Sequence, residues 1–512
     1  MQNESRIKKS LLNAKVNMFF YILMLAITFF SRKIFLEKLG ADFIGLAGTL
    51  QNILGFLNLA ELGIGAAVSF ALYKPIQEGN KNVISSIISV FGYYYRKIGL
   101  IILIVAFIIS LFIPLMFNHT TFNYGIIYFA FYSFLISSLI GYFVNYRQIL
   151  LSADQKNYVI AAYFQTANII RILLQIFIAI KFSNYYLWVA IELIFSLIYA
   201  FILNFKINQT YPWLNSNVNK GRIERKNYSY IIIKTKQVFV HKIKDFLLGQ
   251  SDQILVFAFV SLKMVAYYGN YTLVISRITQ LFSVCMDGMA ASVGNLVAEN
   301  DIQKIDKVFW ELTVIRYFVG GVIVFSVSQL IEPFISLWIG SQYILDKSVL
   351  VLILLNSYIM IVRGTVDMFN NAYGNYGDTW SAWVEAIICL SVTIWVARDW
   401  GLIGILLGKI ASMVPIIMIW KPIYLYKEGF KTSINSYWKG IVLNILLFII
   451  AFLIVINIKN IISINPYTCF MNWITYAVII TMTFVVVYAS MLYVFTNGAK
   501  NLVKRVFLKK GN

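Results

Sequence analysis

The run Trp473-Ile-Thr-Tyr-Ala-Val-Ile-Ile-Thr-Met-Thr-Phe-Val-Val-Val-Tyr-Ala-Ser-Met-Leu-Tyr-Val-Phe495 contains no charged side chain. A helix rises about 1.5 Å per residue, so about 20 such residues cross a hydrocarbon core about 30 Å thick. Ile98–Phe117, Trp188–Phe205 and Leu443–Ile456 read the same way, the shorter ones borrowing polar residues at their ends. The pattern holds for the whole chain of 512 residues, which is 60% hydrophobic and 13% charged. Its mean hydropathy of +0.75 excludes water as the main solvent, since a soluble domain is roughly half apolar. The expected fold class is therefore all-α, a polytopic membrane protein of about 14 transmembrane helices. These fall near 15–36, 43–73, 84–117, 122–146, 157–181, 185–206, 236–261, 266–298, 308–331, 346–372, 380–397, 401–425, 438–458 and 469–496.

Lys and Arg number 43 against 22 Asp and Glu, a net charge of +21. In a soluble chain such an excess points to nucleic acid, but no nucleic-acid-binding signature accompanies it here. The cations lie between the apolar spans, where they suit loops facing anionic lipid. Threading the spans alternately from the inside places Lys74, Lys81, Arg96 and Lys97 on the cytoplasmic side. The same side receives the basic stretch from Lys206 to Lys236, the set Lys304, Lys307 and Arg316, then Lys421, Lys427 and Lys431, and the tail from Lys500 to Lys510. The opposite side gets scattered cations such as Lys181, Lys347 and Lys459. That asymmetry predicts an even number of helices and two cytoplasmic termini.

The stretch from Lys206 to Lys236 divides the chain. The expected organisation is an N-terminal lobe over 1–206, a basic cytoplasmic linker over 207–235, a second lobe over 236–425, and two further helices with a basic tail over 426–512. Setting Phe35 on Phe259 without gaps puts Gly45 on Gly269 and Ser69 on Val293, which suggests a six-helix repeat of parallel halves. Cys285, Cys389 and Cys469 have no metal-ligand spacing, so neither a disulfide framework nor a metal site is expected. The first apolar run ends in Phe29-Phe30-Ser31-Arg32, without small residues for cleavage, and reads as a retained helix.

Charges inside spans are few: Arg32, Glu61, Arg171, Glu192, Asp245, Asp252, Arg277, Asp287, Arg363, Asp367, Glu385 and Lys409. Each costs roughly 2.5–3.5 kcal/mol at a helix centre, so each should face a cavity or another charge. Arg363 and Asp367 share a helix face, and a structural pair reads as well as a functional one. Arg32 and Arg277 have no acidic residue one turn away and read as cavity-facing cations. His241 and Asp245 allow a proton relay, although side chains snorkelling to an interface are commoner. Asp252 and Glu61, with Asp287, are the candidate carriers of a coupling proton or sodium ion; no other cofactor is implied. Neither a phosphate-binding Gly-rich loop nor a nucleophile–base constellation occurs, so enzymatic activity is not expected.

Ser31-Arg32-Lys33-Ile34-Phe35-Leu36-Glu37-Lys38-Leu39-Gly40, Gly45-Leu46-Ala47-Gly48, and Leu59-Ala60-Glu61-Leu62-Gly63-Ile64-Gly65 through Leu72-Tyr73-Lys74-Pro75 resemble a bacterial polysaccharide-biosynthesis flippase of the Wzx type. Gln250-Ser251-Asp252, Tyr268-Gly269-Asn270-Tyr271 and Ser292-Val293-Gly294-Asn295 resemble the seventh and eighth helices of the same family. The resemblance covers about a quarter of the chain and implies the multidrug/oligosaccharidyl-lipid/polysaccharide exporter superfamily, with two six-helix lobes forming a V. It also implies that polyprenyl-pyrophosphate-linked glycan is flipped from the cytoplasmic to the periplasmic leaflet of the bacterial inner membrane, for O-antigen or capsule. The implied partners are that glycan, membrane lipids and polysaccharide polymerase machinery, with no nucleic acid. Arg32 and Arg277 resemble the family's pyrophosphate-holding arginines, with Arg171 and Arg363 as weaker candidates. The rival readings are a cation-coupled drug or metabolite exporter, which would use an acidic cavity, and a membrane glycosyltransferase or polymerase, which usually needs a larger outer loop.

Overall fold

In the computed structural model the described residues are 6–57, 64–154, 156–229, 252–287, 289–375 and 377–507. Among them there is helix and no strand, and eleven helices are long and apolar enough to cross a membrane. Their outward faces are apolar: Phe201 is 76% and Trp395 81% exposed. In water such faces would be costly, whereas lipid covers them at no loss. The protein is an all-α, multi-pass membrane protein.

The chain forms two compact units, Met1–Ala266 and Tyr267–Asn512. Unit one contains α1 (Arg6–Leu39), α2 (Ala41–Leu57), α3 (Ile64–Glu78), α4 (Lys81–Leu111), α5 (Tyr124–Phe143), α6 (Asn157–Lys181), α7 (Tyr185–Thr210) and the short α8 (Val218–Glu224). Asparagines start several of these helices. Asn80, Asn123 and Asn184 each accept a hydrogen bond from a backbone N–H of the first turn, at 3.1, 2.8 and 3.0 Å. Gly40 separates α1 from α2 at φ +84°, a conformation that side-chain-bearing residues rarely adopt. At Gly45 a Cβ would collide with the backbone carbonyl of Leu262, so α2 lies directly against that segment. Over its described part, 211–229, the basic stretch after α7 is docked. Asn217 N–H donates to Ser89 Oγ at 3.0 Å, and Arg225 donates to the Tyr93 hydroxyl at 2.5 Å.

Helix α9 (Leu262–Asp287) begins in the last residues of unit one and continues into unit two. There follow α10 (Ala290–Ala298), α11 (Ile302–Trp338), α12 (Lys347–Val362), α13 (Gly364–Tyr373), α14 (Thr379–Trp400) and α15 (Leu402–Met413). The helical path runs on to Phe430 through π-type turns at Val414–Trp420 and Leu425–Phe430. Pro415 and Pro422 lack the N–H that regular turns require, which accounts for the wider bonding. Gly404 and Gly408 let α15 touch α14, since a Cβ at either would overlap Ala397 or Thr393. Last come α16 (Asn435–Lys459), α17 (Phe470–Phe495) and α18 (Asn497–Phe507).

The register that sets Phe35 on Phe259 also lays α2, α3 and α4 on α9, α10 and α11, reproducing the order of a helix, a shorter helix and a long helix. The last two spans pack on α11. Phe325 stacks on Phe484 at 4.1 Å with the planes 6° apart, and Trp473 Nε1 donates to the Leu330 carbonyl at 3.0 Å. Val314, Phe325, Leu447, Ala451, Ile480, Phe484 and Tyr488 form one buried cluster there.

One expectation is corrected. Arg316 was placed with Lys304 and Lys307 in a cytoplasmic loop, but it lies 14 residues past the start of α11, about 21 Å along the axis at 1.5 Å per residue. It is 7% exposed. Asp301 caps the helix by accepting from Lys304 N–H at 3.1 Å, so the helix begins well before the apolar stretch.

Candidate functional site

Unit two contains a cavity of about 350 Å³ lined by α9, α11, α12 and α15. Its α9 wall carries Thr272, Ser276, Thr279 and Ser283, three or four residues apart and therefore on one helix face. Arg316 enters from α11 and Lys409 from α15, with Asn356 and Ser357 from α12. The described lining thus has two cations, several hydroxyls and no carboxylate.

Several contacts hold the Arg316 guanidinium. Nη1 donates to the Ile361 carbonyl at 3.4 Å, and the charge lies 5.8 Å from the centroid of the Phe282 ring. Gly364, at the break between α12 and α13, leaves it room, because a Cβ there would overlap the guanidinium. Asn356 donates to the carbonyls of Leu352 and Leu406 at 2.9 and 3.4 Å, while its own side-chain oxygen is buried and accepts nothing. A guanidinium, an ammonium and hydroxyl donors lining one cavity can replace the hydration of an oxyanion.

Unit one contains a second polar cavity, of about 510 Å³, between α5, α6, α7 and the segment 145–148. Arg171 of α6 and Glu192 of α7 form an ion pair in its wall, each side chain 19% exposed. Arg171 Nε also donates to Asn168 Oδ1 at 3.0 Å, and Gln175 Nε2 donates to Glu192 at 3.3 Å. At one edge Arg147 donates to Asn204 at 2.7 Å, and Asn204 donates to Asn145 at 2.9 Å. Asn145 is buried and lines the cavity.

The residues singled out from the sequence have separate fates. Arg32, half-buried on α1, donates to the Ala266 carbonyl at 3.2 Å. Arg277, half-buried on α9, donates to Gln280 at 3.3 Å and sits one residue off the face that lines the unit-two cavity. Arg363 pairs with Asp367 at 3.0 Å. Asp252 is buried at the head of a helical segment over 252–259. Glu61, His241 and Asp245 lie outside the described residues, as does the side chain of Asp287, whose backbone ends α9. Arg316 was missed as a site residue. Its signal was the capping Asp301, which puts Lys304 and Lys307 in the first turns and Arg316 in mid-helix.

This architecture occurs in solved transporters. The lipid II flippase MurJ, in an inward closed conformation, matches with a TM-score of 0.61 and 15% identity, over 94% of this chain and 99% of that one. An inward-facing multidrug resistance MATE family transporter of the MOP superfamily matches with a TM-score of 0.56 and 15% identity, over 82% of this chain and 100% of that one. The chain has the same fold as these two proteins. No protein-family model matches the sequence, and no curated protein matches it.

Proposed function

We propose that this protein is a flippase for a lipid with an anionic head, and that the lipid is polyprenyl-pyrophosphate-linked oligosaccharide. In this reading the lipid moves from the cytoplasmic to the periplasmic leaflet of a bacterial inner membrane, for surface polysaccharide assembly. The observation that carries the reading is the convergence of Arg316 and Lys409 on one cavity with the hydroxyls of α9. A pyrophosphate entering hydrocarbon would lose its water without replacement hydrogen bonds, whereas the polyprenyl tail loses nothing. Arg316 offers a planar fork that fits a phosphate edge-on, and Lys409 a point charge beside it. Arg277, on the adjacent face of α9, is a supporting cation in this proposal, and Arg32 stays a candidate on α1. Asp252 is the proposed carrier of a coupling cation. An interior-negative potential would favour outward passage of the anion by about 2.3 kcal/mol per charge at 100 mV.

The described lining of this cavity offers no carboxylate to an organic cation, which disfavours a drug exporter for cations. Transport of fluorescent polyprenyl-pyrophosphate oligosaccharide in proteoliposomes tests the choice. The intact protein should flip the lipid, and an Arg316→Gln, Lys409→Gln variant of normal stability should not. Export of an organic cation with no lipid movement would overturn the reading.

A further inference from the structure

The unit-one cavity differs in chemistry from the unit-two cavity. Arg171 pairs with Glu192, so this pair leaves the wall neutral. What remains is a set of uncharged hydrogen-bonding groups, Ser137, Asn145, Gln148, Asn168 and Ser196. Beside them stand the rings of Phe164 and Tyr199, packed edge to face with centroids 5.1 Å apart. Ser137 Oγ is buried and has no hydrogen-bond partner, an unmet donor and acceptor in the wall. Amides and hydroxyls that both donate and accept, beside aromatic faces, match a pyranose, whose hydroxyls do both and whose ring C–H face is apolar. The volume of about 510 Å³ falls within the roughly 300–1,000 Å³ of small-molecule sites.

We propose that the unit-one cavity is a binding site for neutral, hydroxyl-rich sugar, and that it selects the glycan of the transported lipid. The inference rests on the flippase reading and adds to it a division of labour. The unit-two cavity holds the anion, and the unit-one cavity reads the sugar. Gly141 provides the means to test it, because it lines the cavity and a Cβ there would meet nothing within 4 Å. A Gly141→Leu plug fills the space without displacing a neighbour at its first carbon.

The experiment measures binding of purified protein in nanodiscs to sugar-free undecaprenyl pyrophosphate and to a panel of neutral undecaprenyl-pyrophosphoryl disaccharides. Intact protein should prefer at least one disaccharide lipid by about tenfold, the worth of one or two net hydrogen bonds. Gly141→Leu should erase that preference while leaving affinity for the sugar-free lipid unchanged, and Gly141→Ala should keep it. If the plug also weakens the sugar-free lipid, the Ser137→Ala, Ser196→Ala variant decides by the same comparison. A preference that survives in that variant, or that is missing from the intact protein for every disaccharide, overturns the sugar site while the flippase reading stands. Failure of intact protein to bind any of the pyrophosphate lipids overturns both.

Discussion

The guanidinium of Arg316 occupies the space that a Cβ at Gly364 would need. Gly364 follows directly on Arg363, at the break between α12 and α13, so one position relieves helix continuity and makes room for a buried cation. Replacing it with alanine forces the guanidinium to shift, and overpacking of this kind costs about 1–3 kcal/mol. Gly364→Ala should lower lipid flipping about tenfold or more with normal membrane insertion. Arg277→Ala, off the lining face, should lower it less. Transport assays with the three proteins side by side check the order, and an Arg277→Ala loss exceeding that of Gly364→Ala would move the anion site away from Arg316.

Arg171 and Glu192 make a different demand. Their ion pair is mostly shielded, and removal of one partner strands the other charge at a cost of about 3–5 kcal/mol. Replacement of both by leucine avoids that penalty. Glu192→Ala should therefore unfold at distinctly lower temperature in detergent than the Arg171→Leu, Glu192→Leu protein. Equal losses in the two variants would show that the pair contributes through its own attraction and not through mutual neutralisation.

These two arginines also mark how far the sequence could be read. Hydropathy located eleven of the expected spans because apolar length is a local property, whereas 43–73 and 266–298 each hold two helices and 236–261 lies mostly outside the described residues. The repeat register agrees with the order of α2, α3 and α4 against α9, α10 and α11. Arg171 was visible as an intramembrane charge, but its partner lies on the next helix, and nothing local to either residue encodes that meeting. Arg316 was hidden by the opposite fault. It follows Lys304 and Lys307 closely enough to look like a third loop cation although it falls within the span read at 308–331, and the cap at Asp301 shows that the helix has been running for almost four turns. The hydroxyls of α9 were passed over because Ser and Thr carry no charge signal; their three- and four-residue spacing was the clue.

The two last spans were left without a role by the sequence, and the packing gives them one. Gly321 of α11 faces Tyr488 and Phe448 so closely that a Cβ would stand 2.6 and 2.9 Å from their rings. Thr481 Oγ1 and Ser326 Oγ lie 3.1 Å apart, and Tyr488 donates to the Tyr317 carbonyl at 3.3 Å. Since α11 also carries Arg316, the α16–α17 pair braces the helix that positions the cation. Gly321→Ala should destabilise by about 1–3 kcal/mol and Phe484→Ala by about 3–5 kcal/mol, read as lowered unfolding midpoints in detergent. Midpoints unchanged by both would make the pair peripheral.

Orientation in the membrane follows from which residues share an end of unit two. Phe309 meets Phe369, Tyr426 and Phe430 at 5.3, 6.1 and 5.3 Å, and Arg505 pairs with Glu311 at 2.8 Å, so the start of α11, the end of α13, residues 426–430 and α18 lie together. At the other end Lys459 donates to Gln329 at 2.9 Å, and the α16–α17 loop follows it. The first end gathers Lys304, Lys307, Lys427, Lys431, Lys500 and Lys504, and a lysine-rich end should remain cytoplasmic. Cys469, free and exposed at the start of α17, reports on the second end. A membrane-impermeant maleimide should label the protein at Cys469 in spheroplasts, and Cys469→Ser should abolish that labelling. Lys504→Cys in the Cys469→Ser background should react only after permeabilisation. The reverse pattern would place the basic end outside, and the proposed direction of lipid movement would fall with it.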